Sequence, residues 1–167
     1  MKAINMSSVP TYTSPNSMVL VCTEKPDGTT NMATLAWWTI ASTNPGKIMF
    51  SINKGAYTLE LLAEKKEVVI AVPSVELTAA LIGCGTCSGR DTDKIAKVGL
   101  TMQDIEGTAI KAPVPCKLLI QATVVNTMDA DDHVVHLCDV KGVYGDDDAD
   151  AVFGWNGYSE FASAQKK

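Results

Sequence analysis

The sequence has few aromatic residues, no long basic run and no long apolar stretch. Aromatic side chains make up 6 % of the 167 residues, too few for an extended base-stacking platform. The net charge is −5, which argues against a nucleic-acid surface as the main role. No apolar run approaches the length of a membrane-spanning helix, and residues 1–8 lack the apolar core of a signal peptide. We therefore expect neither a nucleic-acid nor a membrane partner.

The cysteine count is odd, which bears on the compartment. Five cysteines in a chain of this length argue against a disulfide framework, and a reducing cytoplasm fits them better. The length predicts one domain over residues 1–167. Within it, residues 1–14 are expected to form an N-terminal arm. Residues 146–167 are expected to form a C-terminal segment that begins as a solvated acidic loop and whose later aromatic residues pack on the domain or on a partner chain.

Short apolar runs separated by turn signals predict a mainly β protein with short helices, either a barrel or a sandwich. The first three predicted strands are joined by tight turns and would make an antiparallel meander. The predicted strands cover residues 18–22, 31–42, 48–52, 67–72, 116–125 and 133–143. Three short helices are predicted over 59–66, 74–82 and 92–98, with Thr58, Ser74 and Asp91 as their N-caps.

Residues 31–42 lack the bulk of an ordinary buried strand. This stretch carries no charge and is rich in alanine, hydroxyl side chains and tryptophan. Buried strands usually contain mostly Val, Ile and Leu. A strand that gives up side-chain volume often does so because something else packs against it. The alternative is a half-buried strand with a solvent-exposed polar face. The residues of this stretch alone do not decide between a strand that packs against a ligand and this one.

A C-x-x-C motif is formed by Cys84 and Cys87. Thiol oxidoreductases place such a pair at a helix start after a strand, where the helix dipole lowers a thiol pKa. Here the pair follows a predicted helix, so two ordinary cysteines are the better interpretation. A zinc site would need two more ligands, and His133 and His136 point to opposite faces of a predicted strand. We expect no metal.

The loop after this motif offers anion-binding groups. Ser88, Gly89 and Arg90 can present a hydroxyl, a backbone N–H and a guanidinium to a phosphate, with Lys94 nearby. The glycine spacing does not match a dinucleotide-binding loop. On spacing alone, a solvated and salt-bridged helix start is the stronger interpretation. A lone histidine at a hairpin tip, such as His133, is usually solvent-exposed.

An ordered set of short motifs suggests a family. Residues 15–21 read Pro-Asn-Ser-Met-Val-Leu-Val and precede an Asp-Gly turn at 27–28. Further matches are Asn-Met-Ala-Thr-Leu-Ala-Trp at 31–37, Ser-Thr-Asn-Pro at 42–45, Ser-Gly-Arg-Asp at 88–91, Asp-Lys at 93–94 and Asp-His at 132–133. Together they resemble the flavin reductase-like proteins with an FMN-binding split barrel, especially the flavoredoxin branch. The resemblance implies a split β-barrel of antiparallel Greek-key type.

The resemblance also implies a cofactor site. FMN would bind noncovalently at the subunit interface of a homodimer, and the C-terminal segment could cover it. The ring would lie on the stretch 31–42, and the phosphate and ribityl chain near the loop, with a histidine approaching the flavin. The implied cofactor-binding residues are Asn31, Met32, Ala33, Thr34, Ala36, Trp37, Ser42, Thr58, Ser88, Gly89, Arg90, Lys94 and His133, and no residue is assigned a catalytic role.

The implied activity is that of an NAD(P)H-dependent flavin oxidoreductase. The cofactor carries the hydride chemistry, and the protein binds and orients it. Two alternatives stay open. One is a flavoredoxin-like electron carrier that is reduced by a partner protein. The other is a dithiol redox module built on Cys84 and Cys87. No residue pattern separates NADH from NADPH.

Overall fold

The computed structural model describes residues 1–164 of the chain. Its strands, in chain order, are β1 (Asn16–Ser17), β2 (Val19–Glu24), β3 (Thr30–Leu35), β4 (Trp38–Thr43), β5 (Gly46–Asn53), β6 (Glu67–Pro73), β7 (Met102–Gln103), β8 (Ala112–Pro113), β9 (Cys116–Ala130), β10 (His133–Gly145), β11 (Val152–Trp155) and β12 (Glu160–Ser163). The α-helices are α1 (Val9–Tyr12), α2 (Tyr57–Glu64), α3 (Thr78–Gly85) and α4 (Lys94–Val98), with short 3-10 helices at Met6–Ser8 and Val75–Leu77.

Seven strands form one antiparallel sheet in the order β3-β2-β6-β9-β10-β5-β4. The two edge strands, β3 and β4, follow one another in the chain and are linked only by Ala36 and Trp37. Because so short a link must hold both edges close together, the sheet curls on itself without pairing its edges. The mainly β, antiparallel split-barrel prediction is confirmed.

The prediction of one continuous strand over residues 31–42 is wrong. The stretch forms β3 and β4, which belong to opposite edges of the sheet. The expected three-stranded meander is therefore also wrong, although the hairpins β2–β3 and β4–β5 are both antiparallel. The adjacent residues Trp37 and Trp38 lie where the chain passes from one edge of the sheet to the other. Trp38 packs against a core cluster, while Trp37 remains 50 % exposed.

The central strands bury side chains on both faces. Along β2, Leu20 and Cys22 join a first core cluster that also contains residues of α3. Val19 and Val21 point the other way, into a second cluster. This alternation explains why the central strands carry near-continuous apolar runs, since a strand buried on both faces has no wet side.

Two helix caps differ from the prediction. α2 begins at Tyr57 with Ala56 as its N-cap, so Thr58 lies inside the helix and is buried. α4 is capped by Asp93, whose Oδ1 accepts from the Ala96 N–H at 3.1 Å. Asp93 replaces Asp91 as the cap because the helix starts two residues later than expected. Ser74 does cap the 3-10 helix that leads into α3.

The two ends of the chain meet in a second sheet. β1 pairs with β11, which pairs with β12, all antiparallel. Tyr158 and Phe161 pack on the first core cluster, which confirms the predicted packing of the C-terminal segment on the domain. Residues 165–167 of that segment lie outside the described residues. Within residues 1–164, none of the helices combines the length and apolarity needed to cross a bilayer.

Candidate functional site

A cavity of about 960 Å³ opens beside β3. Its walls come from β3, the start of α2, the end of α3 with the following loop, and the start of β10. Tyr158 and Phe161 of the C-terminal segment close one side. Small-molecule and cofactor sites have about this size and usually combine apolar walls with a few placed polar groups.

The small residues of β3 serve two purposes. Ala33, Thr34 and Ala36 line the cavity. Thr34 also contacts α3, because its Oγ1 donates a hydrogen bond to the Leu81 carbonyl of that helix at 2.6 Å. A Cβ on Gly85 would lie 3.3 Å from the Thr34 Cβ. Part of the space beside β3 is therefore filled by α3, and the remainder forms the cavity wall.

Asn31 is a buried polar anchor at the base of the site. Its Nδ2 donates to Thr58 Oγ1 at 3.0 Å and to Thr23 Oγ1 at 3.2 Å. Its Oδ1 is buried without a hydrogen-bond partner among the described residues. A Cβ on Gly89 would lie only 1.9 Å from that oxygen. The loop after α3 thus approaches β3 so closely that only glycine fits at position 89.

Lys94 ties the same loop region to β3. Its side chain is buried, and Nζ donates to the Met32 carbonyl at 2.7 Å and to the Cys84 carbonyl at 2.8 Å. Burial lowers the pKa of the Lys94 ammonium, and the neighbouring thiols of Cys84 and Cys87 oppose that shift. An ammonium has three donors, so one remains for a ligand.

His133 and Trp37 flank the mouth of the cavity. Their ring centroids are 4.7 Å apart, with the planes tilted by 40°. The His133 Nδ1 lies 2.9 Å from Asp132 Oδ1, although it is poorly aligned for a hydrogen bond. The nearby imidazole lowers the pKa of Asp132. His133 is therefore part of this chain's own cavity and not a solvated residue at a hairpin tip.

Most of the residues that the sequence singled out meet at this cavity. The structure brings ten of them to its walls, namely Asn31, Ala33, Thr34, Ala36, Trp37, Thr58, Ser88, Gly89, Lys94 and His133.

Three of the predicted residues do not line the cavity. Met32 has its side chain fully buried in the first core cluster. Ser42 lies near the far end of β4, five residues beyond Trp37, or roughly 16 Å along an extended strand. Arg90 is turned outward, where its guanidinium pairs with Glu60 and lies 5.0 Å from the centroid of the Tyr57 ring.

Several lining residues were not predicted as part of the site. Cys84 and Cys87 were noted only as a separate motif, yet both line the cavity. Asn53 comes from the end of β5, where it pairs with His133. Strand register brings these two residues together, and nothing local in the sequence indicates it. Within residues 1–164, no group of three or more His, Cys, Asp or Glu side chains is arranged to hold a metal ion.

A protein-family model and a protein of known sequence both match this chain. The model of the flavin reductase like domain matches residues 11–162. An uncharacterized protein of Archaeoglobus fulgidus is 29 % identical over 124 residues, which cover 74 % of this chain and 68 % of that protein.

Solved structures with low identity share the fold. The flavoredoxin of Desulfovibrio vulgaris (Miyazaki F) superimposes with a TM-score of 0.84 at 22 % identity, over 100 % of this chain and 95 % of that chain. The flavoredoxin of Methanosarcina acetivorans gives 0.83 at 19 %, over 100 % and 92 %. An NADH:FAD oxidoreductase of Streptomyces globisporus C-1027 gives 0.86 at 11 %, over 99 % of each chain.

The Lys94 contacts predict a cost when the ammonium is removed. Lys94→Met should lower the free energy of unfolding by about 1–3 kcal/mol, because the carbonyls of Met32 and Cys84 lose their donor while buried. Lys97→Met is the matched control, since Lys97 lies in the same helix and is exposed. Urea denaturation measures both. Equal stability of the two variants would contradict a structural role for the Lys94 ammonium.

Proposed function

The chain belongs to the flavin reductase-like family, and from this premise we propose that it binds FMN noncovalently in the cavity beside β3. We propose further that it is an oxidoreductase that moves hydride or electrons between NAD(P)H and the bound flavin. The observation that carries this proposal is that ten of the residues implied by the resemblance, from five separate parts of the chain, line one cavity of about 960 Å³.

The chemistry of the walls fits a flavin. A flat ring needs small or aromatic neighbours, which Ala33, Ala36 and Trp37 provide beside the cavity. A ribityl chain needs hydroxyl and amide partners, and Thr58 and Ser88 line the opposite part of the wall. The Asn31 Oδ1 has no hydrogen-bond partner among the described residues, and it lies against the loop that carries Ser88 and Gly89.

The part of the cavity proposed to bind the phosphate has few positively charged side chains. A phosphomonoester carries about two negative charges near neutral pH. Lys94 is the only cationic side chain among the lining residues of the described cavity, and Arg90 is held outside by Glu60. The proposed phosphate partners are therefore Thr58, Ser88, Gly89 and the remaining donor of Lys94.

When bound, FMN supplies a ring that accepts a hydride at N5. The chain's own residues seat the ring, hold the phosphate end and exclude water from the deep wall. His133 and Trp37 stand at the mouth, where a second substrate would enter.

We also propose that the active form is a homodimer with the cavity near the interface. The outer face of the main sheet carries an apolar patch formed by Met49, Met128, Val135 and Leu137. Leu137 pairs with Met49, and Val135 pairs with Met128, so the four side chains are adjacent. Met128 is 63 % exposed and Met49 41 %. An exposed cluster of this kind is typical of a contact surface.

The proposal treats the whole chain as one flavin-binding domain in the cytoplasm. The packing of Tyr158 and Phe161 on the core supports including the C-terminal segment, and the pairing of β1 with β11 ties in the N-terminal part. All five cysteines are free, which agrees with a reducing compartment.

An absorbance spectrum tests the proposed activity. Protein mixed with FMN and desalted should keep a band at about 450 nm, and anaerobic NADH or NADPH should bleach it. Parallel titrations with FAD test the choice of flavin. Bleaching by a reduced electron-transfer protein, but by neither nicotinamide, would replace the reductase with the carrier. Protein that retains neither flavin would refute both.

The contact between Gly89 and Asn31 predicts a loss of flavin affinity on adding one methyl group. Gly89→Ala should raise the Kd for FMN about tenfold or more, which is about 1.4 kcal/mol, because the Cβ must push the loop away from β3. Gly145→Ala is the control, since its Cβ would meet nothing closer than the Lys117 carbonyl at 4.0 Å. Fluorescence titration measures both. Equal Kd values would mean that the loop does not shape the binding site.

The apolar patch predicts a change of oligomeric state. Met128→Glu should convert the dimer to a monomer, because it places a charge within the proposed interface. Val143→Glu is a matched control at a site 60 % exposed on β10, outside the patch. Sedimentation velocity gives the mass of each variant. A monomeric unmodified chain, or a dimeric Met128→Glu variant, would refute this interface.

A further inference from the structure

The cavity wall includes two cysteines that the proposed flavin site does not use. Cys84 and Cys87 line its wall, and both are free. Cys84 is itself buried in the first core cluster, at the boundary of the cavity. The other three cysteines, Cys22, Cys116 and Cys138, are also buried and are not among the lining residues. Of the five, Cys87 is the one that is only partly buried. The C-x-x-C motif therefore faces the same space as the proposed cofactor.

The local backbone permits the two thiols to join. Residues three apart on a helix have Cβ atoms about 5–6 Å apart, and a disulfide needs about 3.5–4.5 Å. α3 ends at Gly85, and Thr86 is its C-cap, so Cys87 lies just beyond the helix. The movement needed to join the two sulfur atoms would therefore fall on the loop and leave the helix intact. The Cys87 thiol donates to the Gly83 carbonyl at 3.2 Å, which is a weak contact.

A buried cation stands beside the pair. The Lys94 Nζ contacts the Cys84 carbonyl at 2.8 Å. Burial raises the pKa of the Cys84 thiol, and the Lys94 ammonium opposes that shift. Since the thiolate is the reactive form, the ammonium makes the penalty that burial imposes on the Cys84 thiolate smaller than it would otherwise be. Cys22, Cys116 and Cys138 have raised pKa values from burial, and no cation opposes the shift.

We propose that Cys84 and Cys87 are a second two-electron centre, which exchanges electrons with the flavin bound in the same cavity. This inference rests on the proposed flavin site. In the step, two S–H bonds break and one S–S bond forms. Two electrons and two protons pass to the oxidised flavin, and the reverse step returns them to the disulfide. A protein or small-molecule disulfide is the class of partner that would exchange with this pair, entering at the more exposed Cys87.

The first experiment asks whether the pair forms a disulfide without flavin. The flavin-free chain is equilibrated in buffers of reduced and oxidised dithiothreitol, then alkylated, digested and analysed by mass spectrometry. A reversible bond between Cys84 and Cys87 is expected. Failure to form it, or a bond between other cysteines such as Cys22 and Cys84, would overturn the proposal.

The second experiment follows electrons in both directions under anaerobic conditions. Reduced chain freed of dithiothreitol receives one equivalent of oxidised FMN, and disulfide-containing chain receives one equivalent of reduced FMN. Because the step is reversible, one mixture must change its absorbance at about 450 nm, and its thiol content must change by a matching amount. If FMN binds and neither mixture changes, the dithiol centre is refuted while the flavin site stands. If FMN does not bind, the proposed function itself fails.

Two variants assign the effect to the motif. Cys87→Ser should abolish the transfer in both mixtures, expressed per bound flavin so that a change in affinity does not mimic the loss. Cys138→Ala should transfer as the unmodified chain does, because Cys138 is a free cysteine buried away from the cavity. Cys87→Ala replaces the serine variant if that one folds poorly. Transfer that survives in the folded Cys87 variant would overturn the proposal.

Discussion

The close approach of the loop after α3 to strand β3 is the constraint on which the site depends. Gly89 lies against the Asn31 side chain, where a Cβ would come within 1.9 Å of Oδ1. Lys94 reinforces the approach by donating to carbonyls on both sides of the gap. Thr34 holds α3 itself against β3, and without these further contacts the loop after α3 would have no comparable attachment to the sheet. The cavity would then lose the wall that carries Ser88 and the two thiols.

These contacts also determine how much positive charge is available to a ligand. The loop after α3 and the start of α4 carry two basic residues, Arg90 and Lys94, that a phosphate could contact. In the folded chain, Arg90 is paired with Glu60 at the surface, and Lys94 uses two of its three donors on backbone carbonyls. The positive charge left for a ligand is small. Recognition of the proposed phosphate must therefore depend on neutral donors, which place a ligand by geometry more than by charge.

Much of the fold and part of the site could be predicted from the sequence. Turn residues and apolar alternation indicate the hairpins, because both act over a few residues. The crossing at Ala36 and Trp37 could not be predicted, since its position depends on which strands the two halves of the stretch pair with. Thr58 lines the cavity, as expected of a predicted site residue, but its prediction as a helix cap was wrong. Its hydroxyl is directed by a contact with Asn31, 27 residues earlier in the chain.

The sequence by itself determined the fold class, because turn chemistry and hydrophobic period are local properties of the chain. Its ordered motifs also indicated the family, and the resemblance implied ten of the residues that line the cavity. Only the tertiary structure decided which of the implied residues meet. In the structure, Met32 is buried, Ser42 lies near the far end of β4, and Arg90 points outward. The tertiary structure also joined the C-x-x-C motif to the cavity. Each of these outcomes depends on strand order and long-range packing, which short-range sequence patterns do not contain.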